Sequence, residues 1–204
     1  MKFVSCLFAV FVLSAQSATR LVYSKSFPGS VPPFVAITLA RDGTAEYKEA
    51  PDDENPLRFR LPQAQADEIF ALVEKLDGFR KPLESPMKVA FMGTKTFRLE
   101  DGARTAEVKF NYSEDANAQL LADWFERMTE SAMLLINLER AARYDKLGVQ
   151  RAVLQLETAM DRKRVVAAEQ FLPMLDRIAK NETYMNAARA RAAYLAEVIR
   201  APKP

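Results

Sequence analysis

The chain has 204 residues, with 29 Lys+Arg against 27 Asp+Glu, one cysteine and no histidine. A formal net charge of +2 supplies no global field for a nucleic-acid backbone. The missing histidine removes the usual general base near neutral pH, the commonest metal ligand, and Ser-His-Asp or Cys-His catalysis. Carboxylates, lysines, tyrosines and backbone groups are what remain for any chemistry.

The opening stretch, MKFVSCLFAVFVLSAQSATR, reads as an export signal over residues 1–17. Lys2 gives the positive start, Phe3–Leu13 the apolar run, and Ala15 and Ser17 the small residues before cleavage. The apolar run is too short for an ordinary bilayer span. Cys6 lies inside it, so the exported chain is expected to carry no disulfide and to depend on packing for stability. The address this implies is periplasmic or extracellular.

Residues 21–27 read as a strand. Val35, Ile37 and Leu39 then alternate with Ala36, Thr38 and Ala40, and Asp42-Gly43 marks a hairpin turn into a return strand with Ala45 and Tyr47 on one side. APDDENP, residues 50–56, is an acidic surface loop leading to a strand with Leu57, Phe59 and Leu61 on one face. Pro62 opens a helix whose apolar face is Ala66, Ile69, Phe70, Val73 and Leu76, ending at Gly78. The following segment is irregular, with a short strand expected around Val89 and Phe91. A second hairpin turns at Asp101-Gly102, with Phe97 and Leu99 on the outgoing strand and Val108, Phe110 and Tyr112 on the return. Such half-apolar alternation suits an antiparallel sheet with one face covered by helix.

From Ser113 the apolar period becomes 3.6. Ser113 or Asp115 caps a helix whose stripe is Leu120, Leu121, Trp124, Phe125, Met128, Ala132, Leu135, Ile136 and Leu138, running on to Tyr144. Further helices are expected near Leu147–Met160, from Ala167 with Phe171, Leu172, Leu175 and Ile178, and over YMNAARARAAYLAEVIR. RKRVV is the linker between the first two. Charge is split along the chain: residues 18–139 carry 15 Lys+Arg against 20 Asp+Glu, and residues 140–204 carry 13 against 7. The basic helical tail could face an acidic protein partner, face the acidic first half of the same molecule, or be an unevenly solvated surface.

FPGSVPPF, with Phe27, Gly29, Pro32 and Phe34, followed by Asp42, Gly43 and Tyr47, resembles a small exported β-rich domain family of uncharacterised function. That family carries a Cys-Phe-Gly-x-Cys-Pro-x-aromatic motif. The resemblance covers about residues 21–130 and leaves the helical tail outside. Both cysteines of the motif are absent, with Val31 standing before Pro32. The resemblance implies a β-rich exported domain that has exchanged a staple for packing, and it brings no catalytic residues.

The candidate chemical motifs each have a plainer structural explanation. SFPGS lacks the spacing of a phosphate or dinucleotide loop, so Gly29 is a turn residue. Asp52, Asp53 and Glu54 are consecutive rather than spaced as calcium ligands. Glu46, Glu68 and Glu107 sit where ordinary polar faces carry acids, although a carboxylate pair would suit a hydrolase. Ser85 and Lys88 have a Ser-x-x-Lys spacing without its supporting motifs, and Ser131 is a second isolated serine. Arg162, Lys163, Arg164, Arg189 and Arg191 form the basic tail; nucleic acid is excluded as its partner, and an acidic protein is preferred over a membrane surface. Trp124 and Phe125 could line a pocket, but their register favours the core.

The fold class expected is therefore α+β: an antiparallel sheet with two hairpins packed on helices over 18–139, then a helical region over 140–204 that either shares the same core or builds its own. No catalytic, cofactor-binding or metal-binding residue is assigned. The leading function is an exported, non-catalytic protein–protein interaction or envelope-scaffolding protein. The alternatives are a module binding a small molecule or glycan and a histidine-free, carboxylate-based hydrolase.

Overall fold

The computed structural model describes residues 19–201; the export signal expected over residues 1–17, with Cys6, lies outside them. Six strands, β1 (Arg20–Ser26), β2 (Phe34–Ala40), β3 (Thr44–Lys48), β4 (Leu57–Arg60), β5 (Thr94–Asp101) and β6 (Arg104–Phe110), form one antiparallel sheet in the order β4-β3-β2-β1-β5-β6. The class is α+β, as expected. Period-2 alternation decides which face is covered. Leu21, Tyr23, Ile37, Leu39, Ala45, Tyr47 and Phe97 point inward and are fully buried, while Glu46, Arg58, Arg98 and Lys109 line the other face.

Turn chemistry fixes the β2–β3 register. Gly43 has φ +84°, and a Cβ there would lie 2.5 Å from the Leu61 carbonyl oxygen, so the position requires glycine twice over. The Leu61 amide donates to the Gly43 carbonyl at 2.9 Å, which pins the end of β4 to this turn. The acidic loop makes a third hairpin between β3 and β4. Central β1 joins the two halves, pairing Tyr23 with Ile37 on one side and with Phe97 on the other.

The strand expected near Val89 and Phe91 does not form. The backbone there is irregular, and Val89 and Phe91 are exposed. The amide side chain of Asn111 takes the place of a strand partner, donating to the Ala90 carbonyl at 3.1 Å and accepting from the Met92 N–H at 2.8 Å. At the family-like stretch, Val31 is exposed and contributes no packing. Hydrogen bonds close that loop instead: the Phe27 amide donates to Pro33, and the Ser30 amide and hydroxyl both donate to Phe27.

Helix α1 (Gln63–Lys75) and the long α2 (Ala116–Tyr144) cover the inward face. Asp115 is the cap of α2, its carboxylate accepting from the Asn117 and Ala118 amides at 2.8 and 3.2 Å. Leu121, Phe125, Met128, Ala132 and Leu138 follow the expected stripe into the core. Leu120 departs from it and is exposed, because it projects about 100° around the helix from Leu121. The tail folds as α3 (Gly148–Asp161), α4 (Leu172–Lys180) and α5 (Asn186–Arg200). One turn of 3-10 helix, Ala168–Phe171, precedes α4, so the regular helix starts later than the sequence suggests.

Two apolar clusters result. The first joins the sheet, α1 and the first half of α2. The second joins the later part of α2 to α3, α4 and α5 through Leu135, Leu138, Val153, Phe171, Leu175 and Leu195. Helix α2 runs through both and carries each region's packing to the other. Each fully buried large side chain contributes about 1.5–3 kcal/mol by burial.

Candidate ligand cleft between the sheet and two helices

Helices α2 and α3 are antiparallel neighbours joined by a tight connection. Residues of both helices and of the inner face of β1 and β2 line a cleft of about 690 Å³. This lies within the roughly 300–1,000 Å³ typical of small-molecule sites. Helix α2 presents Glu126, Thr129, Glu130, Met133, Leu134 and Asn137 to it, at spacings that keep one helical face. Helix α3 presents Arg151, Leu154, Gln155, Thr158 and Ala159, with Arg162 at its end. The sheet supplies Tyr23, Lys25 and Val35.

Tyr23 forms part of the inner wall. Its ring is fully buried, stacked on Phe125 with centroids 4.8 Å apart and tilted against Phe97 at 5.6 Å. Its hydroxyl is sealed from solvent and has no hydrogen-bond partner among the described residues. An unpaired buried hydroxyl of this kind costs about 1–3 kcal/mol. Burial, and then the negative charge of Glu126, push the phenol well above its ordinary range, so it is neutral and keeps its proton to donate.

Lys25 follows Tyr23 on the same inward parity of β1. Its ammonium lies 3.7 Å from Glu126, beyond hydrogen-bond reach. Lys95, its cross-strand neighbour on β5, donates to the Asn111 carbonyl at 2.9 Å. Burial, reinforced by the charge of Lys25, holds Lys95 below the ordinary lysine range. Arg164, from the linker, is tied to α2 by Asp123 at 2.5 Å and Glu130 at 2.9 Å. Arg151 and Arg162 have no carboxylate partner among the described residues. The lining thus holds four cations, Lys25, Arg151, Arg162 and Arg164, against two carboxylates, Glu126 and Glu130. Val35, Met133, Leu134, Leu154 and Ala159 make the apolar wall.

The residues singled out from sequence are elsewhere or already engaged. Glu46 pairs with Arg58 at 2.8 Å and Glu107 with Lys109 at 3.2 Å, both on the outer face of the sheet. Three strands lie between them, a separation of about 19 Å by strand spacing. Glu68 is exposed on α1, so these acids are not brought together. The Ser85 hydroxyl donates to Glu114, and Ser131 is buried, donating to the Arg127 carbonyl and accepting from the Val166 amide. Asp53 accepts from the Asn55 amide at the surface. No group of metal-ligating side chains occurs among the described residues. Trp124 and Phe125 belong to the core, as their register indicates, and Phe125 is also the support on which Tyr23 rests.

Of the basic tail, Arg164 meets acids of the first half and Arg191 meets Glu157 of α3 at 2.6 Å. Arg189 donates to the Ala179 carbonyl and to Asn186. Among the described residues no helix is long and apolar enough to cross a membrane.

Sequence reasoning did not find the cleft, though it left two signals. Lys25 is a lysine on the inward parity of a strand, and α3 carries Arg151, Leu154, Gln155, Thr158 and Arg162 along one face. The architecture is a half-covered antiparallel sheet with a helical annex and a cleft at their junction. No family model matches the chain, and neither does any curated protein.

Proposed function

We propose that this chain is an exported, non-catalytic binding protein for a small molecule, and that the cleft between β1, α2 and α3 is its site. The observation that carries the reading is the Tyr23 hydroxyl, buried without a partner on the inner wall of a cleft of ligand size. Buried polar groups are nearly always hydrogen-bonded, and a group held neutral and unpaired beside a cavity is explained by a ligand that supplies the acceptor. Rigid elements hold it there: a central strand and two helices, rather than loops.

The test is a ligand-observed NMR screen of a small-molecule library against the full chain and against Thr158→Trp, which fills the cleft from a half-exposed position. Compounds that bind the first and not the second support the reading. A library in which every hit binds both proteins equally overturns it.

A second reading, an exported interaction or envelope-scaffolding protein, draws support from the loop around Met87, Phe91 and Met92. All three side chains are more than half exposed, and such patches serve protein contacts. An acidic partner on the tail would rely mainly on Arg162 and Lys163, since Arg164 and Arg191 have internal carboxylate partners. Capture from an envelope extract, lost when Arg162, Lys163, Arg164, Arg189 and Arg191 are changed to glutamine, is the outcome this second reading requires.

A further inference from the structure

The chemistry of the cleft also selects among small molecules. Resting on the reading above, we infer that its ligand is an amphipathic anion: a single carboxylate-like head held by the Tyr23 hydroxyl and Lys25, with an apolar body along Met133, Leu134 and Leu154.

The head group follows from what is unsatisfied. Tyr23 has a proton to donate and no acceptor for it among the described residues. Lys25 has Glu126 only at 3.7 Å, a distance that gives it Coulomb attraction but no hydrogen bond. In the ligand-free protein the Tyr23 hydroxyl is covered, so an incoming oxyanion reaches it by displacing Glu126, whose charge already acts on that phenol. It then takes hydrogen bonds from Tyr23 and Lys25 on the inward side of β1. Glu126 is nearly half exposed and can turn to water as the anion replaces it. A cationic head has a weaker place: Glu130 is already held by Arg164, Glu126 has the Lys25 ammonium 3.7 Å away to repel a second cation, and the lining carries two positive charges in excess.

The body follows from the walls. Beyond the polar end, the facing surfaces are methionine, leucine and alanine, and a flexible thioether such as Met133 adapts to chains of different shape. The unpaired Arg151 and Arg162 stand at the rim. There they add attraction for an approaching anion, and they lie too far into solvent to contribute more than about two- to five-fold each.

The test uses three probes of one chain length: decanoate, 1-decanol and decyltrimethylammonium. Each is titrated into the full chain carrying 13C-methyl methionine, with Met133 as the reporter, and its affinity is measured by calorimetry. The expected result is a Met133 shift and decanoate binding at least about ten-fold tighter than the other two. Tyr23→Phe, which keeps the ring, loses about ten- to a hundred-fold for decanoate, the value of a hydrogen bond to a charged group, and only about two- to ten-fold for decanol, whose neutral oxygen accepts a weaker bond. Arg151→Gln with Arg162→Gln, both at the surface, weakens decanoate by a few-fold and increases its insensitivity to salt.

Equal binding of all three probes overturns the anion assignment while leaving the cleft a small-molecule site. Silence of Met133 to all three, when other library compounds shift it, does the same. Silence to the library as well removes the binding reading itself. Co-sedimentation with phosphatidylglycerol vesicles, without binding of free decanoate, also overturns the inference, by making a lipid surface the ligand.

Discussion

Replacing Tyr23 by phenylalanine should make the ligand-free protein more stable. The ring is fully buried, and its contacts with Phe125 at 4.8 Å and Phe97 at 5.6 Å belong to the ring rather than to the hydroxyl. Phenylalanine retains them. What disappears is one buried donor with no acceptor among the described residues, whose desolvation costs about 1–3 kcal/mol. For a protein of this size each kcal/mol raises Tm by about 2–4 °C, so the variant should melt about 2–12 °C higher. Differential scanning calorimetry at neutral pH, checked by urea unfolding with an unchanged m value, measures this. A variant that melts lower would refute the reasoning, since it would mean that the hydroxyl is satisfied within the folded protein and contributes to it.

Gly43→Ala should destabilise by about 2–4 kcal/mol, combining left-handed strain with the approach to the Leu61 carbonyl, and chemical denaturation will read it. Asp115→Ala removes the α2 cap and should cost about 1 kcal/mol, visible in the same experiment. Arg164→Met should cost about 1–2 kcal/mol, since it leaves Asp123 and Glu130 without their shared cation at a partly exposed site; hydrogen exchange should rise first at the Val166 amide, which bonds Ser131 beside the linker. In acid, the Thr44 backbone amide and hydroxyl hold the Asp42 carboxyl below the ordinary aspartate range, and the hydrogen bond from Arg200 does the same for Asp176. The unfolded chain therefore takes up protons first, so the stabilisation is complete above the ordinary aspartate pKa and is lost as pH falls through the lowered folded values. Asp176→Asn should flatten that acid limb in urea unfolding between pH 2 and 5.

The local grammar of the fold was legible. Asp42-Gly43 and Asp101-Gly102 name their hairpins, and the apolar stripe from Leu121 to Leu138 names α2, because turn residues and periodicity act within a few positions. The Val89–Phe91 strand failed for a non-local reason: Asn111, about twenty residues on, satisfies that backbone with its side chain. The role of β1 as the strand between both halves was equally out of reach, since Tyr23 meets Phe97 only through the folded register.

The cleft was the least legible part. Tyr23, Glu126 and Thr158 come from three distant segments, and no spacing rule connects them. An unpaired hydroxyl is a property of its surroundings and leaves no mark in a string of letters. Lys25 on the inward parity of β1 and the mixed face of α3 were the two readable hints. The charge split of the chain was informative in a different way, because Arg164 does meet Asp123 and Glu130 of the acidic half.

The most direct measurement is calorimetric melting of the full chain and Tyr23→Phe, each with and without saturating decanoate. A hydroxyl retained for a ligand predicts opposite signs: the variant melts higher when empty and gains less from decanoate than the parent does. If the variant melts lower when empty, or gains as much from decanoate as the parent, the Tyr23 hydroxyl is not the anchor of a binding site and the account is contradicted.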